Sequence, residues 1–208
     1  MNNSEEEEDE DDLKVILIGE SGTGKTSLIN TSIGLEFQDK LETTHSSSII
    51  QKKLEIDDKI YIINLWDTIG QEQYRSLTKI FMKGAKIVIF VYDITSYFSF
   101  KQLDFWFANT KEVLGEKPIL GIIGNKSDLY IREEVKEEIA EEYAKQKGVP
   151  FTLASAKTPK NFNDFLELLV RKYLKKIEGR LESTIIDGLK LEEQNEKEKK
   201  PRKKGKCC

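Results

Sequence analysis

At 208 residues and a formal net charge of −4, the chain has room for one domain with charged ends. Its two cysteines, Cys207 and Cys208, are the last two residues. They cannot staple a fold, which points to a reducing compartment. No apolar run reaches the ~20 residues that cross a bilayer, and the acidic amino terminus is unlike a secretory signal.

The net charge hides two opposed ends. Glu5 to Asp12 is unbroken acid, whereas Asn195 to Cys208 holds seven Lys/Arg against two Glu. Such runs repel themselves and bury nothing. Residues 1–12 therefore read as an acidic disordered arm, 13–176 as an almost neutral domain, and 177–208 as a charged tether with a short helix expected at Glu182–Leu191. No internal repeat is present.

In chain order, Leu13–Ile18 reads as a fully buried strand and Gly24–Ile33 as a helix, with the glycine-rich GESGTGKT (Gly19–Thr26) where they join. Gly34–Ser48 is a long polar connection. Ile49–Ile56 and Lys59–Trp66 form a hairpin around Asp57-Asp58. Asp67–Thr78 is irregular and leads into a short helix ending near Lys83. Ile87–Tyr92 is a strand, Phe98–Leu114 a helix, and Ile119–Gly124 a strand. A helix from about Arg132 to Lys147, a strand at Val149–Ala154 and a helix at Asn161–Lys176 complete the domain. This alternation implies an α/β fold with parallel strands and helices on both faces. Ligands of such sheets bind at the carboxyl ends of the strands, so the loops after Trp66, Tyr92, Gly124 and Ala154 should converge on GESGTGKT.

Those loops carry a message. Glycines that bend a loop between a strand and a helix aim several N–H groups inward beside the positive end of the helix dipole, which suits a polyphosphate. Gly19, Ser21, Gly22, Thr23, Gly24, Lys25, Thr26 and Ser27 form the expected phosphate set. Lys25 reaches for the terminal phosphates and the Thr26 hydroxyl completes a magnesium shell. In WDTIGQE (Trp66–Glu72), Asp67 stands where a carboxylate holds magnesium, Gly70 can bring its N–H to the terminal phosphate, and Gln71 can orient water. In NKSD (Asn125–Asp128), the Asp128 carboxylate can accept from the N1–H and exocyclic amine of guanine, a donor pair that adenine lacks. The Lys126 stem can lie over the base. SAK (Ser155–Lys157) can present an N–H to the guanine O6. The expected ligand is GTP or GDP with magnesium.

These motifs resemble those of the Ras superfamily of small GTPases, from Leu13 to about Lys176. Within it, GAKIVIFVYDIT (Gly84–Thr95), YRSLTKIF (Tyr74–Phe81) and the terminal Cys-Cys resemble the Rab family. The resemblance implies a three-layer P-loop GTPase fold, a six-stranded mostly parallel sheet with one antiparallel edge strand and five helices. It adds Phe37 to the guanine set of Asn125, Lys126, Asp128, Ser155, Ala156 and Lys157. It also adds Thr44 as a magnesium ligand with Thr26 and Asp67; Thr43 is its neighbour, and counting from Lys25 and from Trp66 favours Thr44. Catalysis falls to Gln71, Lys25 and Gly70. The implied activity is slow hydrolysis of GTP to GDP and phosphate.

The chain departs from the Rab pattern twice. After the switch threonine, Ile-Gly-Val-Asp-Phe is replaced by His45, Ser46, Ser47, Ser48 and Ile49. Ile49 offers no ring to the hydrophobic triad it should complete with Trp66 and Phe81, so a divergent effector surface is expected. Ile69 stands where the family has alanine, beside the glycine that must reorient. A stiff β-branched side chain there is expected to slow hydrolysis or bias the switch.

By resemblance, Cys207 and Cys208 carry geranylgeranyl groups. With the basic cluster Lys199–Lys206 they supply the two signals that stable anchoring takes. A prenylation escort, a GDP-dissociation inhibitor, an exchange factor, a GTPase-activating protein and effectors are implied partners; nucleic acid is not. The location implied is the cytoplasmic face of an intracellular membrane, cycling with cytosol, with a role in vesicle trafficking. The competing expectation is a hydrolysis-impaired, nucleotide-bound interaction module, favoured by Ile69 and the altered switch.

Overall fold

The computed structural model describes the backbone of residues 13–39, 48–68 and 75–198, and the side chains within them except those of 75–78 and 180–198. The acidic arm, Thr44, His45, Ile69, Gly70, Gln71, Cys207 and Cys208 lie outside the described residues.

Six strands form one sheet: β1 (Leu13–Ile18), β2 (Ser48–Ile56), β3 (Lys59–Asp67), β4 (Ile87–Asp93), β5 (Ile119–Asn125) and β6 (Phe151–Leu153). Their order is β2-β3-β1-β4-β5-β6, with β2 antiparallel to β3 and every other pairing parallel. The six-stranded mixed sheet and its single antiparallel edge are as expected. The helices are α1 (Lys25–Ser32), α2 (Arg75–Met82), α3 (Tyr97–Lys101), α4 (Leu103–Leu114), α5 (Glu137–Lys147) and α6 (Lys160–Glu198). The segments α3 and α4 abut at Gln102, itself in right-handed helical conformation, so they occupy the place of the single expected helix and the five-helix plan stands.

β1 and β4 are apolar along nearly their whole length because helices cover both of their faces. Alternation along the strands sends Val15, Leu17, Ile87, Ile89 and Val91 to one core, shared with α1 and with Phe162, Phe165, Leu166 and Leu169 of α6. Ile16, Ile18, Val88, Phe90 and Tyr92 go to the other, shared with Met82, Leu103, Trp106, Ala140 and Ala144. Layers on both faces fix the sheet, and the sheet presents the carboxyl ends of β1, β3, β4 and β5 as one edge.

The β2–β3 hairpin turns at Asp57 and Asp58, both left-handed (φ 51° and 62°). Two such residues give the turn whose twist matches the flanking strands, and aspartate tolerates that conformation better than most.

Two boundaries differ from the sequence reading. The helix expected from Arg132 begins at Glu137. The amides of Glu134 and Val135 both donate to the Ile94 carbonyl (2.8 and 3.1 Å), which buries Val135 and keeps the backbone out of the helix until Lys136. Ahead of it, Ser127–Arg132 is a short 3-10 helix. The last helix does not stop at Lys176 but runs to Glu198. Residues 177–198 hold six Glu and three Leu, both strong helix formers. Gly179 and Gly188 each cost about 1 kcal/mol relative to alanine, and the first proline beyond is Pro201.

Close packing of α6 on the sheet depends on Gly121 of β5. A Cβ there would lie 2.9 Å from Phe165 Cζ and 3.0 Å from Leu169 Cδ1. Gly121→Ala is expected to destabilise the fold by about 1–3 kcal/mol through overpacking. Urea unfolding at fixed nucleotide concentration measures this, and adding Phe165→Leu should recover part of the loss.

Candidate functional site

Two glycines shape the loop between β1 and α1. A Cβ on Gly19 would sit 2.0 Å from the Val91 carbonyl oxygen, and one on Gly24 would sit 2.3 Å from Asn125 Nδ2. Gly24 also lies in the left-handed region, at φ 89° and ψ 24°. The loop is thus pressed against the carboxyl ends of β4 and β5. No side chain caps α1 at Gly24, so the helix offers its first-turn amides and the positive end of its dipole to an anion.

Lys25 begins that helix. Its ammonium is buried and donates to the carbonyls of Gly19 (2.9 Å) and Glu20 (2.8 Å). Burial pulls its pKa down to about 8, against the raising effect of the Asp67 and Glu20 charges. Thr26 Oγ1 donates to Asp67 Oδ2 at 2.7 Å, joining α1 to the end of β3. Burial raises the Asp67 carboxyl above its ordinary range, with the Thr26 bond, the Lys25 charge and the Thr68 amide opposing. The second Asp67 oxygen, Oδ1, is buried and has no hydrogen-bond partner among the described residues. A carboxylate oxygen so placed beside a hydroxyl fits a hard divalent cation that completes its shell from phosphate and water. The residues therefore suit magnesium.

The other wall is built from three strand ends. Asn125 Nδ2 donates to the Thr23 carbonyl at 2.8 Å, and its buried Oδ1 has no partner among the described residues. Ser155 Oγ donates to Asp128 Oδ1 at 2.7 Å, and Lys157 Nζ pairs with Oδ2 at 2.9 Å. Burial pushes the Asp128 carboxyl up, but the Ser155 and Lys157 hydrogen bonds and the Lys157 charge outweigh it and hold the group below its usual range. The Lys157 amide donates to Ser155 Oγ at 3.1 Å, which fixes the SAK turn around that carboxylate. Phe37 is half-buried, 5.4 Å from Lys157 Nζ to its ring centroid.

The two walls enclose a cavity of about 490 Å³, open at the carboxyl edge of the sheet. Every residue of the expected guanine set lines it, as do Ser21, Gly22, Gly24, Lys25, Thr26 and Ser27 of the phosphate set. Gly19 and Thr23 stand behind the loop: Gly19 meets Val91, and Thr23 Oγ1 donates to the Glu20 carbonyl at 3.0 Å. Asp67 closes the phosphate end through Thr26. Ile49 pairs across the hairpin with Trp66, whose ring centroid lies 6.3 Å from that of Phe81.

Three supports were not named from sequence. Asp93 Oδ2 pairs with Lys126 Nζ at 2.6 Å and so anchors the lysine that flanks the cavity; the signal was an aspartate ending a buried strand. Thr68 Oγ1 donates to the Leu17 carbonyl at 2.6 Å, tying β3 to β1 beneath the loop. Trp106 Nε1 of α4 donates to Glu20 Oε1 at 3.2 Å. That contact spans 86 positions, and no local pattern announces it.

The sequence profile of the Ras family matches residues 14–175. The chain belongs to the Ras family. Several of the curated relatives it matches are Rab-named. The chain is 34% identical over 200 residues to "Ras-related protein Rab-7b" of Bos taurus, covering 95% of this chain and 96% of that one. It is 40% identical over 159 residues to "Ras-related protein Rab-21" of Geodia cydonium, covering 76% of this chain and 69% of the relative. It is 34% identical over 167 residues to "Ras-related protein SEC4" of Saccharomyces cerevisiae, covering 80% and 77%. This is a divergent Rab-family small GTPase.

Asn125 carries the join between the two walls. Asn125→Ala leaves the buried Thr23 carbonyl unpaired, which costs about 1–3 kcal/mol. Thermal unfolding at fixed nucleotide concentration should show that loss, and nucleotide should dissociate faster because the loop is no longer held to β5.

Proposed function

We propose that this Rab-type GTPase binds GTP and GDP in the 490 Å³ cavity, hydrolyses GTP to GDP and phosphate, and acts as a membrane-attached switch. The observation that carries the reading is the Asp128 carboxylate, kept ionised by Ser155 and Lys157 at the far end of a cavity that begins at a buried lysine. An ionised carboxylate accepts two hydrogen bonds from a purine only where the purine offers N1–H and an exocyclic amine side by side, and guanine is that purine.

This reading gives each residue the role expected from its motif. The loop from Gly19 to Ser27 surrounds the phosphates with amides, and the Lys25 ammonium supplies positive charge at their end. Its two carbonyl partners hold it aligned there. Gln71 orients water for in-line attack on the γ-phosphorus. The β–γ bridging bond breaks, and charge moves onto the leaving β-phosphate oxygens beside Lys25 and the Gly70 amide. A magnesium ion held by Thr26, Thr44 and Asp67 would offset that charge. Release of phosphate then frees Thr44 and Gly70, and the effector edge around Ile49, Trp66 and Phe81 changes with them. Geranylgeranyl groups on Cys207 and Cys208, with the Lys199–Lys206 cluster, attach the switch to the cytoplasmic face of a membrane. An escort and a dissociation inhibitor handle those lipids, while exchange and activating proteins set the cycle.

Base specificity is tested at Asp128. Asp128→Asn gives up two charge-assisted hydrogen bonds of about 1.5–3 kcal/mol each, so guanine nucleotide affinity should fall by at least about 100-fold. ATP competing equally with GTP for the wild-type protein would overturn the reading.

Turnover is tested separately. Single-turnover hydrolysis by GTP-loaded protein should be slow, and slower still in Gln71→Leu. If both proteins are inert and Ile69→Ala restores hydrolysis, the chain is a nucleotide-held interaction module whose block lies at Ile69. That second reading is favoured by the ringless effector edge, where Ile49 is 54% exposed against Trp66.

A further inference from the structure

A group of apolar side chains that neither core takes up shares one corner of the domain. Phe98 (56% exposed), Tyr130 (66%) and Ile131 (84%) stand in water there with Tyr97 and Ile139. They belong to α3, to the 3-10 helix Ser127–Arg132 and to the start of α5. Hydrogen bonds hold these segments side by side. The Ile94 carbonyl, just ahead of α3, accepts from the Glu134 and Val135 amides, and the Tyr97 amide donates to Glu134 Oε2 at 2.8 Å. The Glu133 amide donates to the Tyr130 carbonyl at 3.2 Å, which closes the turn carrying Tyr130 and Ile131. Underneath, Phe100 meets Tyr92 and Tyr143 edge-on, with ring centroids 5.1 and 5.2 Å away. The corner is packed from within and apolar without. Single exposed apolar side chains are ordinary, but a group of them on a fixed support marks a surface that another molecule covers.

Charge narrows the choice of that molecule. From Arg132 to Glu142 the chain carries six glutamates against one arginine and one lysine. All eight are exposed, and none has an ion-pair partner among the described residues. Lys101 adds one further cation, set over the Tyr97 ring at 5.3 Å. An anionic membrane is repelled by such a rim, and a symmetric second copy would set glutamates against glutamates. β4 and β5 each have a neighbour on both sides, so these helical segments offer no strand edge to an added strand. A helix laid on its apolar face remains.

We propose that this corner is the docking site for a basic amphipathic helix of a partner protein, separate from the effector edge around Ile49, Trp66 and Phe81. Phe98, Tyr130 and Ile131 take its apolar anchors, and Glu133, Glu137, Glu138 and Glu141 face its lysines and arginines. The site backs onto the guanine wall. Ser99 Oγ of α3 accepts from the Asp93 amide (3.0 Å), and Asp93 pairs with Lys126. Asp128, Leu129 and Arg132 of the 3-10 helix line the nucleotide cavity. A helix bridging α3 and the 3-10 helix holds that wall together and slows nucleotide release, a consequence that rests on the nucleotide reading above; the docking itself does not.

The test uses the full GDP-loaded chain. Its probe is a synthetic peptide of about 18 residues, long enough to form a helix, with leucine along one face and lysine on the other. Amide signals of Tyr97–Phe98, Tyr130–Glu134 and Glu137–Glu141 should shift on titration. Tyr130→Ser with Ile131→Ser should weaken binding by at least about tenfold, as loss of central anchors does, while GDP affinity without peptide stays the same. Glu137→Gln, Glu138→Gln and Glu141→Gln together should weaken it several-fold. The same residues reordered so that leucine lies on every side should bind far more weakly, and a leucine–glutamate helix should not bind. Shifts centred elsewhere, equal binding by the reordered peptide, or binding that survives both sets of substitutions would overturn the proposal. A dimer in sedimentation equilibrium, or attachment to phosphatidylserine vesicles, that Ile131→Ser abolishes would assign the corner to a second copy or to lipid and overturn it equally. Release of fluorescent GDP should slow several-fold with the leucine–lysine peptide in excess, and an unchanged rate would remove the bridging role.

Discussion

The site is arranged around one charge that the fold has taken out of water. Lys25 is buried, and its ammonium would be costly there without compensation. Two loop carbonyls accept from it, and the carboxylates of Asp67 and Glu20 oppose the loss of its proton. Those partners come from the loop itself and from the end of β3. Holding Lys25 therefore requires the loop to be bent tightly and the sheet edge to be in place beneath it. The close approaches at Gly19 and Gly24 follow from the same requirement. A polyphosphate bound there would add further negative charge beside a group already oriented, so little reorganisation would accompany binding or turnover.

The second wall is built on a related economy, with a carboxylate in place of an ammonium. Asp128 is kept ionised by neighbours that also shape the loop, since Ser155 both donates to Asp128 and accepts from the Lys157 amide. Asn125 then ties this wall to the first through the Thr23 carbonyl. Disturbing either end is transmitted to the other through a single side chain. Nucleotide binding and loop order are for that reason one property of the fold.

The parts of this plan that were legible in the sequence are those set by local rules. β1 is apolar except at Lys14 because both faces are covered, and its bounds are the ones read from the pattern. Asp57-Asp58 marked the hairpin turn because few other residues accept positive φ. The cavity residues were legible because phosphate and guanine recognition need fixed residue types at fixed offsets from strand ends. Contacts made across the fold were not. The Trp106–Glu20 and Asp93–Lys126 pairs join segments whose separation in sequence carries no periodic trace. The start of α5 was misplaced because burial of Val135 overrides the helix propensity of Glu133 and Glu134. The end of α6 was misplaced for another reason. The near-neutral domain ends near Lys176, but apolar residues at four-residue spacing (Ile177, Leu181, Ile185 and Leu189) and helix propensity both continue, and the helix runs to Glu198.

That continuation gives the two edges of the sheet different work. At the carboxyl edge, loops of exact chemistry converge on a cavity. At the amino edge the acidic arm begins and α6 passes out of the domain. Parallel pairing makes this division unavoidable, because crossover connections return the start of every strand except β2 to the same side. The points where β1 begins and α6 leaves the sheet lie a strand's length, roughly 20 Å, from the phosphate loop. Charge at that distance is largely screened at physiological salt, so the appendages can vary in sequence without disturbing Lys25. Any influence they have on the nucleotide must travel through the packed strands, and β1, which joins the arm directly to Gly19, is the shortest such route.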